Sequence, residues 1–231
     1  MTTNTGKLQI ILIHGIWMKG LEMLILRNRL TSHGFKVKQF TYWSLLKQPN
    51  ENAINLKKTI EHIEDDCIIV AHSLGGMIVR KMFENHSSQL NQVKGIVSLG
   101  SPLKGSKVAQ FMSKRKLLKW GLGASNNILC EGVKEWDQPI PWLSIAGTRN
   151  FGVGRYMGGV NQYSDGTVEV RETKLNGTEH DSTYPSSHMG LLFSSPVTQK
   201  IISFINKVQH QKPSESLEID KNKVNTRKIS D

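Results

Sequence analysis

The chain has 231 residues, of which 30 are Lys or Arg and 19 are Asp or Glu, and its formal net charge is +11. This length is enough for one domain with a sizeable core, and no segment reaches the roughly 18 to 20 consecutive apolar residues that a transmembrane helix needs. The basic excess suits an anionic partner such as a membrane or a nucleic acid, although it also serves simple solubility. There are two cysteines, and because Cys67 opens the apolar run CIIVA we expect a buried free thiol rather than a disulfide.

The first residues, MTTNTGK, lead directly into the strand-like run LQIILI at 8–13. They contain no basic n-region, no separate apolar segment and no cleavage site, so we expect no secretory signal. The sequence therefore predicts a cytoplasmic protein, and peripheral association with a membrane stays open.

Short apolar runs alternate with helical patterns along the chain, and the chain contains no internal repeat. Several of these runs are continuously apolar, as expected for strands with both sheet faces covered. The alternation predicts a mostly parallel α/β sheet with helices on both faces. The predicted strands are 8–13, 35–40, 67–71, 95–100, 142–147 and 167–172, and the predicted helices are about 19–32, 51–63, 75–86, 105–119 and 196–208.

The first strand ends in His14-Gly15, within the segment ILIHGIW. Gly15 permits a backbone turn that can direct the N–H of Ile16 into a cleft at the end of the strand. An ordinary turn between a strand and a helix is the plain alternative. We expect His14 to hold this loop.

The run IVAHSLGGMIV at 69–79 places Ser73 between the buried strand CIIVA and the helix start GGMIVRKMF. Such a sharp turn admits only small residues two positions away on either side, and here these are Ala71 and Gly75. The pattern predicts a nucleophile elbow, in which the serine hydroxyl projects into a cleft. Free N–H groups at the helix N-terminus would stabilise an oxyanion beside Ser73. An N-cap serine is the structural alternative.

Residues 104–119 carry six basic side chains and no acidic one, with apolar residues between them. They follow a strand that is predicted to end near the cleft. A cap that rests on an anionic membrane or lipid substrate is one hypothesis for this segment. A solvated helix that covers the sheet is the alternative.

A serine becomes a good nucleophile when a base removes its proton, and eight histidines compete for that role. His72 adjoins the serine, but successive strand side chains point in opposite directions, so we expect it to pack behind the elbow. His188, in SSHMGLLFSS just before the last helix, is the favoured base, and His180, in NGTEHDS, is the weaker candidate.

The base needs an acid to fix its tautomer and stabilise its charged form. Asp165, in YSDGTVEV, follows the predicted strand WLSIAG and the glycine-rich segment 148–164, which we expect to be a long flexible loop. Asp165 is the favoured acid and Asp181 the alternative, whereas Asp137 comes before that strand. Ser73, Asp165 and His188 then follow the chain order expected for an α/β-hydrolase triad.

From His210 onward the chain is rich in Lys, Ser, Asn and Glu and lacks aromatic residues. Such a segment has too little apolar surface to offset its ordering entropy, so we expect disorder over 210–231. Residues 1–209 are predicted to form one domain, with a cap-like insertion at about 103–140.

Three motifs resemble those of the lipase and esterase group of the α/β-hydrolase superfamily. The elbow and histidine motifs resemble those of the minimal bacterial lipases in particular, and the acid motif resembles that of several lipases. In each case the resemblance extends over several consecutive residues and supports Ser73, Asp165 and His188 as the triad. The motifs are the elbow AHSLGG at 71–76, which is similar to the AHSMGG type, the acid segment SDGTV at 164–168 and the histidine segment SHMGLLFSSPV at 187–197.

The segment HGIW at 14–17 resembles the oxyanion loop of the same lipases. This resemblance implies the backbone N–H groups of Ile16 and Leu74 as the oxyanion hole. The segment LGSPLKGS at 99–106 is similar to a strand-end motif of a broader lipase-like group. The resemblance covers about residues 8–206 and implies an α/β-hydrolase fold. The extra sequence at about 103–140 departs from the minimal lipases, which have almost no lid, and is predicted to form a small cap insertion.

Together these features predict a serine hydrolase that cleaves a carboxylic ester, of a lipid or another apolar acyl group, through an acyl-enzyme. Gly15 and Trp17 are the expected substrate contacts, and no metal or organic cofactor is implied. A thioesterase or acyltransferase with the same triad is an alternative, and so is a non-catalytic domain that binds lipid or protein. No reading-helix or base-stacking pattern supports a nucleic-acid partner.

Overall fold

The computed structural model of the chain describes residues 8–86, 90–156 and 160–210. Six strands of this part form one sheet in the order β2-β1-β3-β4-β5-β6, and all neighbours are parallel. The predicted α/β class with a mostly parallel sheet is therefore confirmed. The strands are β1 (Gln9–Ile13), β2 (Lys36–Phe40), β3 (Cys67–His72), β4 (Val93–Leu99), β5 (Trp142–Gly147) and β6 (Glu179–Tyr184).

Ten α-helices of the described residues connect or flank these strands, and two short 3-10 helices, Leu21–Met23 and Trp120–Ser125, precede α1 and α6. Local signals explain where several of them start. Pro49 begins α2, which carries a capping box between Gln48 and Glu51. The helices are α1 (Leu24–Ser32), α2 (Pro49–Glu61), α3 (Leu74–His86), α4 (Lys107–Ser113), α5 (Lys116–Lys119), α6 (Asn126–Glu131), α7 (Val153–Tyr156), α8 (Val170–Thr173), α9 (Gly190–Phe193) and α10 (Ser195–His210).

Helices cover both faces of the sheet because alternate strand residues point to opposite sides. Ile11 and Ile69 belong to a core cluster with α2 and α3, whereas Ile10 and Ile68 belong to a second cluster with α1, α9 and α10. All four isoleucines are fully buried. The central strands are therefore apolar on both faces, and this explains their continuous apolar runs.

The sixth strand differs from its predicted position. We predicted a strand over 167–172, but this segment overlaps α8 (Val170–Thr173), which is preceded by a single antiparallel bridge between Ser164 and Glu169. The alternation in TVEVRE was misleading because Glu169 and Glu172 form a capping box that starts a helix. The actual strand β6 has the polar sequence EHDSTY and lies at the sheet edge, where it pairs with β5 alone.

The predicted helix over 105–119 is divided into α4 and α5. Arg115 has an extended backbone between them, with φ −120° and ψ 114°. The region between β4 and β5 also contains the 3-10 helix Trp120–Ser125 and α6, and we call the whole set from α4 to α6 the cap. The cap packs against the cluster that contains α2 and α3, through Val108 and Met112 among others.

Two predicted segments lie partly outside the described residues. The glycine-rich loop at 148–164 includes the short helix α7, and its residues 157–159 are outside the description. The last helix continues through His210, and the tail predicted to be disordered lies, from 211 onward, outside the described residues. None of the helices in the described part of the chain combines the length and the apolar character that crossing a bilayer requires.

Candidate active site

The strand order reverses between β1 and β3. Connections that follow these two strands therefore leave in opposite directions, and a crevice opens at the carboxyl ends of the strands. The loop after β1 starts at His14, and Ser73 directly follows β3. The HGIW segment and the AHSLGG elbow therefore meet at this crevice.

Ser73 is held in a tight turn between β3 and α3. Its φ is +54°, a left-handed conformation that is uncommon for residues other than glycine. Its N–H donates to the carbonyl of Leu99 at 2.9 Å. Strain of this kind is typical of functional turns, and here it directs the serine toward the cavity described below.

Two glycines make room for this turn. A Cβ at Gly75 would lie 2.8 Å from the carbonyl oxygen of His14, and one at Gly15 would lie 2.9 Å from Ser73 Cβ. Both distances are shorter than real Cβ contacts, so a side chain at either position would displace the elbow. The small residue that the elbow motif requires at position 75 thus has a steric cause.

His188 and Asp165 form a short charge-assisted contact. His188 Nδ1–H donates to Asp165 Oδ2 at 2.7 Å, and the two residues are 8% and 1% exposed. With its proton on Nδ1, the neutral imidazole keeps Nε2 free to accept a proton. The pair therefore has the arrangement of an oriented general base.

Main-chain groups fix the Asp165 carboxylate. Its Oδ1 accepts from the N–H groups of Thr167 at 2.9 Å and Val168 at 2.7 Å. The Asp165 carbonyl accepts from the N–H of His188 at 2.9 Å, so the two loops also meet through their backbones. These amide bonds were not foreseen, although the Asp-Gly turn signal in SDGTV could have indicated them.

Ser73 and His188 line the same cavity but are not hydrogen-bonded to each other in the described structure. Such contacts are often long in unliganded enzymes and shorten when a substrate binds. The chain thus brings His188 and Asp165 into direct contact and places the Ser73 side chain beside the same space.

The backbone N–H groups of Ile16 and Leu74 have no hydrogen-bond acceptor among the described residues. Leu74 is the first residue of α3, where N–H groups lack partners within the helix and the helix dipole is positive. Ile16 lines the cavity directly. Both N–H groups are therefore unpaired within the described residues, and of the two residues only Ile16 lines the cavity.

Two further histidines are buried next to these residues. The Nε2–H of His72 donates to the carbonyl of His188 at 3.1 Å, and the two imidazole rings are 4.6 Å apart. His14 donates through Nδ1 to Gly15, accepts through Nε2 from the Tyr42 N–H and stacks on the Tyr42 ring. Burial lowers the pKa of His14 and lowers that of His72 well below the usual range, so both rings are neutral.

The remaining candidates lie elsewhere. His180 is near the amino end of β6, away from the carboxyl edge, and its Nδ1 contacts the Thr178 carbonyl. Asp137 has a 70% exposed side chain and pairs with Arg80. Asp181 lies within β6, and its side chain is outside the description.

A cavity of about 310 Å³ opens beside Ser73 and His188, and its lining is mostly apolar. Trp17 lines this cavity, and its contact with a substrate stays a prediction. Gly15 packs against the Cβ of Ser73 and is not among the lining residues, and its contact with a substrate stays a prediction. The cap contributes an apolar wall that sequence reasoning did not assign, formed by Val108, Ala109, Met112, Leu122 and Leu129.

Solved structures with the same architecture show which fold the chain has. A mature-form lipase from Bacillus licheniformis, BlEst2, is 16% identical, and the match covers 88% of this chain and 92% of the lipase with a TM-score of 0.64. A lipase-esterase related protein from Clostridium acetobutylicum is 13% identical over 87% of this chain and 96% of its own, with a TM-score of 0.61. A metagenomic carboxyl esterase, MGS0156, is 13% identical over 89% and 76%, with a TM-score of 0.64. The chain has the α/β-hydrolase fold, as its motifs predicted.

Residues 4–134 match the family model described as "Domain of unknown function (DUF7379)". This match spans more than half of the chain, and the chain belongs to that family. No curated protein matches the chain. The family description names no activity, so the function is inferred from the site.

Proposed function

We propose that this protein is a serine hydrolase that cleaves carboxylic esters of an apolar acyl group. The 2.7 Å contact between His188 and Asp165, beside the apolar cavity that Ser73 also lines, carries this proposal. A binding module would have no use for an oriented base next to a strained serine. Ser73, His188 and Asp165 are the proposed nucleophile, base and acid.

The proposed reaction has two halves. Ser73 Oγ attacks the ester carbonyl while His188 Nε2 takes its proton, and the resulting oxyanion accepts from the N–H groups of Ile16 and Leu74. His188 then gives the proton to the leaving alcohol as the C–O bond breaks. In the second half, water attacks the acyl-enzyme by the same steps and releases the carboxylic acid. Asp165 stabilises the imidazolium in both halves.

The substrate class follows from the wall of the cavity. Val108, Met112, Leu122 and Leu129 offer only aliphatic or thioether surface, which suits an acyl chain rather than a charged group. Each methylene that enters such a wall contributes about 0.8 kcal/mol. Esters with a longer acyl chain should therefore be better substrates until the space is filled.

Three alternatives to ester hydrolysis fit the sequence. A thioester substrate or acyl transfer to another alcohol needs the same triad, and a non-catalytic lipid-binding or protein-binding domain needs none of it. A fluorophosphonate probe distinguishes the last case, because a pure binder would not become labelled. A preference for p-nitrophenyl thioesters over the matched oxygen esters would favour a thioesterase.

We expect a fluorophosphonate probe to label the purified chain on the tryptic peptide that contains Ser73, as read by mass spectrometry. The chain should also hydrolyse p-nitrophenyl esters, with kcat/KM rising roughly fourfold for each added methylene from acetate to butyrate. Boiled protein serves as the control. A native chain that is neither labelled nor active on any of these esters would reject the hydrolase proposal.

An anionic lipid surface is the proposed partner, through the basic segment 104–119 of the sequence. Residues 14–20, 41–50 and 104–130 contain eight basic residues and no acidic one, and among these basic residues Lys107 is paired with Glu169 at 3.1 Å. Exposed apolar side chains accompany them, notably Leu117 at 89% and Trp120 at 80%. Basic groups beside exposed Trp and Leu are suited to the headgroup region of an acidic membrane.

A cytoplasmic location remains a prediction, which cell fractionation would check.

Vesicle co-sedimentation tests this partner. The protein should bind vesicles that contain phosphatidylglycerol and bind neutral phosphatidylcholine vesicles much less. The triple variant Lys114→Gln, Arg115→Gln and Lys116→Gln removes three exposed charges, each worth about 1 kcal/mol at an anionic surface, so binding should weaken about a hundredfold. A matched triple variant away from the cap, Lys36→Gln, Lys38→Gln and Lys94→Gln, should bind nearly as the wild type does. Equal binding of the wild type to neutral and acidic vesicles would contradict the proposal.

A further inference from the structure

The residue after Ile16 has an unusual backbone conformation. Trp17 has a φ of +63°. Among the described residues other than glycine, only Trp17 and Ser73 have a positive φ. A bulky residue in this region needs surroundings that hold it there. Because Trp17 directly follows Ile16, contacts that hold Trp17 in place also restrain the chain that carries the proposed oxyanion donor.

Two hydrogen bonds hold Trp17 from different parts of the fold. Its main-chain N–H donates to Ser44 Oγ at 3.2 Å, in the loop between β2 and α2. Its indole Nε1–H donates to the carbonyl of Gly121 at 2.6 Å, in the 3-10 helix of the cap. The first bond fixes the backbone of the turn and the second ties its side chain to the cap.

The cap and the loop after β2 are joined directly as well. Ser125 Oγ–H donates to the Ser44 carbonyl at 2.7 Å, and the Ala124 N–H donates to the Leu45 carbonyl at 2.8 Å. Gly123 lies so close to the Leu45 carbonyl that a side chain there would overlap with it. The turn at Trp17, the loop at Ser44 and the cap therefore form a closed ring of contacts.

We infer that Trp17 is a positioning residue through which the cap holds the Ile16 N–H in place. The inference rests on the proposed function, because it assigns Ile16 as an oxyanion donor. The cap would then have two roles: its wall of Val108, Met112 and Leu122 contacts the acyl chain, and its bond to Trp17 sets the turn that stabilises the oxyanion. A substrate that packs well against the cap thereby also strengthens the oxyanion site.

Trp17→Phe tests this role because it keeps an aromatic ring in the cavity wall but removes the indole N–H. Loss of a whole oxyanion donor lowers kcat about 10²- to 10³-fold, so a donor that is retained but poorly held should lower kcat about tenfold. KM for p-nitrophenyl butyrate should change less than about threefold, because the contacts that bind substrate and transition state equally are preserved. A rise in KM with kcat unchanged would mean that Trp17 only packs against the substrate, and would overturn the inference.

Ser44→Ala provides a second test, since Ser44 is 5% exposed and is not part of the cavity lining. It removes the acceptor for the Trp17 N–H, while the carbonyl that binds Ser125 remains. We expect kcat to fall in the same way, and the double variant to lose less than the product of the two single effects because both act on one turn. A kcat for Ser44→Ala within twofold of wild type overturns the inference, whatever Trp17→Phe does.

Trp136→Phe is the matched control. It also removes an indole bond to a carbonyl, from Nε1 to Ile140 at 2.7 Å, but it lies in the core away from the cavity. It should lower the melting temperature and leave kcat unchanged. Labelling of the wild type by the fluorophosphonate probe separates the two proposals: an unlabelled wild type rejects the hydrolase, whereas a labelled wild type with unaffected Trp17→Phe and Ser44→Ala variants rejects only the role of Trp17.

Discussion

Replacement of Ser73 by Ala is expected to lower kcat for p-nitrophenyl butyrate by about 10⁶-fold. Without the hydroxyl no acyl-enzyme can form, and His188 has no proton to accept from the nucleophile. The remaining activity would come from water attack helped by the oxyanion donors and by binding alone. Steady-state assays with active-site titration of the wild type would measure the difference.

Because the three residues are proposed to act as one unit, His188→Ala should cost nearly as much, and the double variant Ser73→Ala with His188→Ala little more than either. Ser203→Ala is a suitable control, since this serine is exposed on α10 and bonds only the Gln199 carbonyl. Its activity should equal that of the wild type. Esterase activity in Ser73→Ala at the wild-type level would show that another residue is the nucleophile.

Replacement of Asp165 by Asn is expected to have the second-largest effect and to lower kcat about 10⁴-fold. The amide keeps the size of the carboxylate, and its oxygen can still accept from the N–H groups of Thr167 and Val168. Its NH₂ group then faces His188 Nδ1, which favours the tautomer with the proton on Nε2. That nitrogen can no longer accept the proton of Ser73, and the imidazolium loses its anionic partner.

Thermal unfolding of Asp165→Asn should accompany the kinetics, because the residue is 1% exposed and its loss of charge also affects the fold. A folded variant with the expected kinetic loss supports the assignment. Asp137→Asn is the control, as this carboxylate has a 70% exposed side chain and lies outside the site. If Asp165→Asn were folded and fully active, Asp165 would not be the acid, and Asp181 would be tested next.

Parts of the fold with strong local signals were predictable. The runs QIILI, CIIVAH and WLSIAG are apolar on both faces because each is covered by helices on either side, and they became β1, β3 and β5. The edge strand β6 was not predictable from EHDSTY, because pairing with a single neighbour, rather than its own composition, holds it in the sheet. The predicted strand over 167–172 failed for a related reason, as side-chain caps from Glu169 and Glu172 outweighed the alternation.

At the site, the sequence by itself determined the residue types that steric crowding demands: the serine after a buried strand, the small residues around it and the Asp-Gly turn that presents Asp165. Their reasons are local, so they are visible in short motifs. Only the tertiary structure decided that Gly15 packs under Ser73 rather than along the cavity, that the cap walls the cavity, and that Trp17 joins the cap to the turn after β1. Those contacts join residues up to 104 positions apart in the chain, and their partners are set by how the layers pack, which no local pattern records.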